Sequence, residues 1–170
     1  MSDDALLAVA RAMADLHHPV KTEIAEWAAR EIATHDRVDA DLRSAFAADD
    51  WKRCAERGIH GVMVPTELGG SGADLATTLL TLEGLGQGCR DNGLAFAIGS
   101  QILSTQETIV RFGSEDQQRE WIPALIAGDI LGAFAMTEPE SGSDAYSLAT
   151  TAERRSDGSY VLNGHKAYLT

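Results

Sequence analysis

Basic charge is scarce in these 170 residues: 14 lysines and arginines stand against 26 aspartates and glutamates, a formal net charge of −12. A nucleic-acid surface needs a basic stripe, and an anionic membrane recruits clustered lysines and arginines, so this balance disfavours both partners. Long apolar runs are missing too. No stretch approaches the roughly 20 residues that span a bilayer. The opening MSDDALLAVARAMADLHH is acidic where a secretory leader is basic, which points to a cytoplasmic protein. Cysteine occurs twice, as Cys54 and Cys89. The two lack metal-site spacing and both fall in helical patterns, so they read as buried free thiols. Neither GxxxxGK(S/T) nor GxGxxG, the phosphate-cradling glycine patterns, is present. Repeats and low-complexity segments are absent as well.

Hydrophobic residues make up 44% of the chain, enough to bury a core. The first 128 residues read as helices. Ser2 is a candidate cap for one whose apolar face would carry Leu6, Val9, Ala10, Met13 and Leu16. A second follows Pro19 with Ile24, Trp27, Ala28 and Ile32. A third is expected near Asp41 to Arg57, stopped by Gly58. A glycine-rich loop over 61–74 ends at Asp74, a candidate cap for the next helix. Residues 92–113 predict a long, centrally buried helix. Ser114 and Gln117 form a capping box for the last helix, which Pro123 should break. The tryptophans Trp27, Trp51 and Trp121 read as packing residues. His17 and His18 read as the end of the first helix, where a positive imidazole suits the dipole.

From Ile130 the texture changes. ILGAFAMT is strand-like, and the residues after it alternate around two hairpin dipeptides, Asp157-Gly158 and Asn163-Gly164. The expected fold class is therefore α+β: a helical domain over 1–128, then the first strands of an antiparallel, barrel-like β-domain over 129–170. The chain stops inside what looks like a strand, which suggests a piece of a longer protein. Between the two textures lies TEPESGSD. It offers hydroxyls from Thr137, Ser141 and Ser143, close backbone approach at Gly142 and a turn stiffened by Pro139. Such gathered donors suit a ligand with carbonyls or phosphates; a surface turn rich in caps has the same composition.

TEPESGSD resembles the T-E-P-x-x-G-S-D signature of the acyl-CoA dehydrogenases. VPTELGGSGAD is similar to that family's P-E-x-x-G-G-x-G-x-D loop, FGSEDQQREWIPALIAGDILGAFAMTEP to the run leading into the signature, and SYVLNGHKAYLT to its N-G-x-K-x-W-I-T hairpin. The four occur in the family's order across residues 40–170. The resemblance implies an N-terminal helical domain, a middle β-domain and a C-terminal helical bundle, the last absent from these 170 residues. It also implies FAD as cofactor, an acyl-CoA or acyl-carrier-protein thioester as substrate, an electron acceptor such as an electron-transfer flavoprotein, and a homodimer or homotetramer.

By the same resemblance, Phe134 and backbone groups of Met136 would line the flavin with the Thr137 hydroxyl. Gly142 and Ser143 would contact cofactor or substrate, the serine on the nucleotide side of the acyl thioester ligand. Tyr168 and Thr170 would flank the ring, a tyrosine standing where the family usually has tryptophan. Glu138 would shape the turn, and Glu140 would point to water. The family's catalytic base, a glutamate in the later domains, lies outside these residues, so no catalytic residue is assigned. His165 and Lys166 read as solvated. The expected activity is α,β-dehydrogenation of an acyl thioester. Flavin oxidases and monooxygenases on the same scaffold, and a truncated non-catalytic homologue, are the alternatives.

Overall fold

The computed structural model describes residues 3–14, 18–32 and 37–169. The chain divides into two compact units, one ending at Gly132 and one beginning at Ala133. The first is helical: α1 (Asp3–Ala14), α2 (Pro19–Glu31), α3 (Arg37–Leu42), α4 (Ala48–Glu56), α5 (Leu75–Cys89) and α6 (Asn92–Ser100) come in order. A π-helical turn over Gln101–Gln106 then leads into α7 (Glu107–Phe112), and α8 (Glu115–Ile126) follows. Local chemistry sets the ends. Pro19 supplies the fixed φ of a first helical residue in α2. Asp74 accepts from the Thr77 amide at 2.8 Å and Asp91 from the Leu94 amide at 2.9 Å. At α8, Ser114 and Gln117 exchange both bonds of a capping box. Gly58 closes α4 at φ 85°.

The core joins α2, α4, α5 and α6 through Ile24, Ala28, Ile32, Trp51, Leu85, Leu94 and Ile98, with both cysteines buried among them as free thiols. Burial, with the neighbouring Cys89 and Asp50 adding to it, pushes the Cys54 thiol up to about 12, so it is inert as a nucleophile. The contact between α2 and α5 is close because two glycines one turn apart face α2. A Cβ on Gly84 would stand 2.5 Å from the Lys21 carbonyl oxygen, and one on Gly88 would stand 2.2 Å from that of Ala25. The fully buried Lys21 reaches from α2 to Glu83 at 3.1 Å. Gly88→Ala should therefore destabilise the unit. Helix propensity alone would favour alanine by about 1 kcal/mol, but a backbone oxygen cannot step aside, and overpacking of this kind costs about 1–3 kcal/mol. A lower urea midpoint at unchanged slope is expected; a more stable variant would refute the close approach.

The second unit holds one antiparallel hairpin, β1 (Thr151–Arg154) with β2 (Tyr160–Asn163), registered Thr151 to Asn163 and Arg154 to Tyr160. Asp157-Gly158 makes its turn: Gly158 lies at φ 86°, and Asp157 accepts from the Ser159 amide and hydroxyl at 2.9 and 2.7 Å.

Several expectations fail for identifiable reasons. The helix expected over 41–57 is two, because Ser44 turns left-handed (φ 50°) and Ala45 donates back to Ala40, a helix-ending motif usually built on glycine. Pro123 lies inside α8 without breaking it; it is exposed and forgoes one hydrogen bond near the end of the helix. The helix expected over 92–113 buries only one face, leaving Phe96 and Phe112 exposed, and Trp121 is exposed on α8 rather than packed. His18 stands at the N-cap of α2, the opposite dipole end from that expected. On α1, Val9 is partly buried while Leu6 and Ala10 are exposed. Ser2, Leu16, His17 and Thr170 lie outside the described residues. Residues 130–137 form no strand, since a strand exists only with a partner and none pairs with them among the described residues. Asn163-Gly164 makes no second hairpin: the chain beyond it bonds to the 136–138 segment instead of folding back on β2.

Candidate functional site

Glu138 organises the second unit. Its backbone exchanges two bonds with Ser141 at 2.9 and 3.1 Å, closing the Pro139–Glu140 turn. Its carboxylate, almost fully buried, accepts from the Ala149 amide at 2.7 Å, the Thr150 amide at 3.0 Å, the Thr150 hydroxyl and the Lys166 ammonium at 3.0 Å. The Thr150 hydroxyl, then the Ala149 amide and Lys166, hold this carboxyl down at about 2. Gly164 completes the arrangement by steric necessity: a Cβ there would meet the Thr150 hydroxyl at 2.0 Å and displace the residue that Glu138 grips.

Lys166 also donates to the Met136 carbonyl at 2.8 Å, and the Ala167 amide donates to that of Thr137 at 3.0 Å. The segment over 133–137 is thus pinned at its end through the Met136 and Thr137 carbonyls, while its own amides find no backbone acceptor among the described residues. It is also half-open, with Phe134 50% and Met136 39% exposed. Unpaired backbone donors beside exposed apolar side chains are what a flat ligand with a hydrogen-bonding edge requires. By this measure the residues fit a flavin.

Of the residues expected at a flavin, Phe134, Met136 and Thr137 share this segment, and Lys166 and Ala167 tie the chain leading to Tyr168 against it. Tyr168 is 88% exposed, at φ 56°. Gly142 and Ser143 are exposed on the turn, and a Cβ on Gly142 would meet nothing within 4 Å. Thr170 lies outside the described residues. Ser141, read as a free hydroxyl donor, is instead buried and spends its hydroxyl on the Asp144 carbonyl. Glu140 does point to solvent, and Glu138 does shape the turn. His165 is exposed as expected, but Lys166 is not solvated: it is partly buried against Glu138. Among the described residues no cluster of histidine, cysteine and acid side chains could hold a metal ion, and no helix is long and apolar enough to cross a membrane.

The chain thus joins a helical unit to a β-hairpin unit that presents a braced TEPESGSD loop. Residues 14–129 match the acyl-CoA dehydrogenase N-terminal domain and residues 133–170 its middle domain, so the chain belongs to the acyl-CoA dehydrogenase family. It is 38% identical over 123 residues to an L-prolyl peptidyl-carrier-protein dehydrogenase of Pseudomonas fluorescens, covering 72% of this chain and 32% of that protein. The crystal structure of the prolyl acyl carrier protein oxidase AnaB superposes with a TM-score of 0.82 at 34% identity, over 99% of this chain and 41% of that one. PigA with FAD and proline does so with a TM-score of 0.81 at 27% identity, over 99% and 40%. The chain thus spans 32% to 41% of the length of these relatives.

Proposed function

We propose that the protein is an FAD-dependent oxidoreductase that dehydrogenates an acyl thioester between its α and β carbons, and that the acyl group arrives on a carrier protein. The observation that carries the reading is the segment over 133–137, held by Lys166 and Ala167 with its amides turned to no backbone partner. The names of the relatives support the substrate: one acts on a prolyl group on a peptidyl carrier protein, and another is a prolyl acyl carrier protein oxidase.

FAD, when bound, supplies a two-electron acceptor. The residues of this chain bind and orient. The amides over 134–137 and the Thr137 hydroxyl hold the polar edge of the ring, and Phe134 covers apolar surface. Gly142 and Ser143 take the nucleotide side of the thioester ligand. Donors fixed before reaction stabilise developing negative charge without reorganisation, which is the largest single contribution such a site can make. Glu138 acts one step back, fixing the loop; no residue here is assigned as the base.

The test is spectroscopic. The intact protein should purify yellow, and anaerobic addition of prolyl-carrier protein should bleach the flavin band, with acyl-CoAs bleaching it slowly or not at all. Rapid recolouring in air would assign the oxidase form, as in AnaB's name. A colourless protein that takes up no FAD would refute the reading.

A further inference from the structure

The π-helical turn between α6 and α7 does something the helical core alone does not require. It begins with Gln101, which is buried with both ends of its amide bonded: the Nε2 donates to the Leu125 carbonyl near the end of α8 at 3.2 Å, and the Oε1 accepts from the Gly132 amide at 2.9 Å. Four residues on, Thr105 touches the same place from the side. A Cβ on Gly132 would stand 2.5 Å from the Thr105 methyl, so only glycine fits. Ile130, just before, packs on the cluster of Val64, Ile122 and Leu125. Two independent contacts from one π-helical turn therefore seize the last residue of the helical unit. Turns of this kind insert one extra residue per turn and recur at functional sites. The next residue is Ala133, the first of the segment whose amides are free.

We propose that Gln101 is a positioning residue for flavin binding: by clamping Gly132 it fixes where the chain leaves the helical unit, and so orders the 133–137 segment. The inference rests on the flavin reading above. A loose exit would leave the amides at 134–137 sampling many directions, and preorganised donors lose their worth when they must be ordered on binding.

The experiment uses the intact FAD-loaded protein and three variants. Gln101→Met keeps the side-chain length and removes both bonds; FAD affinity should fall about tenfold and ¹⁵N order parameters at 133–137 should drop. Gly132→Ala should do the same by collision with Thr105. Gly132→Ala combined with Thr105→Gly removes the collision; it should recover FAD affinity although a glycine inside the helix makes it less stable than Gly132→Ala alone. A Gln101→Met protein that melts earlier yet keeps parental FAD affinity and order at 133–137 would reduce Gln101 to a structural group and overturn the proposal. So would a double variant whose affinity stays as low as that of Gly132→Ala. If Gln101→Met does not fold, the Gly132 pair decides alone. If the parental protein itself takes up no FAD, the functional reading falls, and the order parameters still decide whether the clamp exists.

Discussion

Glu138→Gln should weaken FAD binding by roughly 10- to 100-fold, by analogy with the loss when a residue one step behind a metal's ligands is removed. The carboxylate accepts from two amides, a hydroxyl and an ammonium. An amide side chain offers one oxygen and puts an N–H where an acceptor is needed, so one of the Ala149, Thr150 or Lys166 contacts must be lost. Lys166 then loses the partner that holds it against the Met136 carbonyl. Because the two act together, Lys166→Met alone should show much of the same loss, and the double variant should lose far less than the sum. Additive losses would show that Glu138 and Lys166 brace different things.

The same carboxylate sets an acid limit. Its folded value, about 2, lies below the ordinary 4.5. The unfolded loop therefore binds the proton more readily, and the bracing is complete above about pH 4.5 and lost as pH falls through 2. FAD affinity of the parental protein should decline across that window, while the Glu138→Gln protein, already lacking the charge, should show the smaller slope. Equal slopes would place the acid-sensitive group elsewhere.

What could be read from the sequence divides along a physical line. Features decided within a few residues were legible: the caps at Asp74 and Ser114, the stop at Gly58 and the Asp157-Gly158 turn all depend on neighbours in the chain. Features decided by distant partners were not. ILGAFAMT has strand composition but no strand beside it among the described residues. Asn163-Gly164 is a hairpin dipeptide whose following residues are captured by Met136, Thr137 and Glu138. Ser44 ends a helix as glycine would, at a position where composition offers no warning. Of the candidate site, the loop residues were visible because the motif is contiguous. Lys166 was missed because its partner lies 28 residues away in sequence. Gln101 was missed because an internal glutamine in an apolar helix carries no local mark of what it binds.

The helical unit should lose about 3 kcal/mol of stability between pH 6.5 and 4, through His60. Its side chain is fully buried, packed edge-on to Trp51 at 4.3 Å between ring centres, and neither ring nitrogen makes a well-formed hydrogen bond among the described residues. Burial pushes the imidazole down to about 4; the nearby Leu125 carbonyl opposes this and Lys52 adds to it. The folded value is therefore below the unfolded 6.5, and between the two the unfolded chain binds the extra proton. Stability from this group is complete above pH 6.5, falls by about 1.4 kcal/mol per unit as pH drops, and levels off below 4. Urea titrations across this range should show the slope in the parental protein. His60→Phe keeps a ring against Trp51 and has no proton to take up, so its urea midpoint should stay nearly flat from pH 6.5 to 4. Glutamates, ordinarily near 4.3, titrate at the acid end of this window in parent and variant alike, so it is the difference between the two profiles that reports the imidazole. If the phenylalanine variant loses stability with acid as steeply as the parent, the buried imidazole is not the group responsible. If instead the slope vanishes, one neutral histidine beside Trp51 sets the acid tolerance of the helical unit, while Glu138 sets that of the loop about two pH units lower.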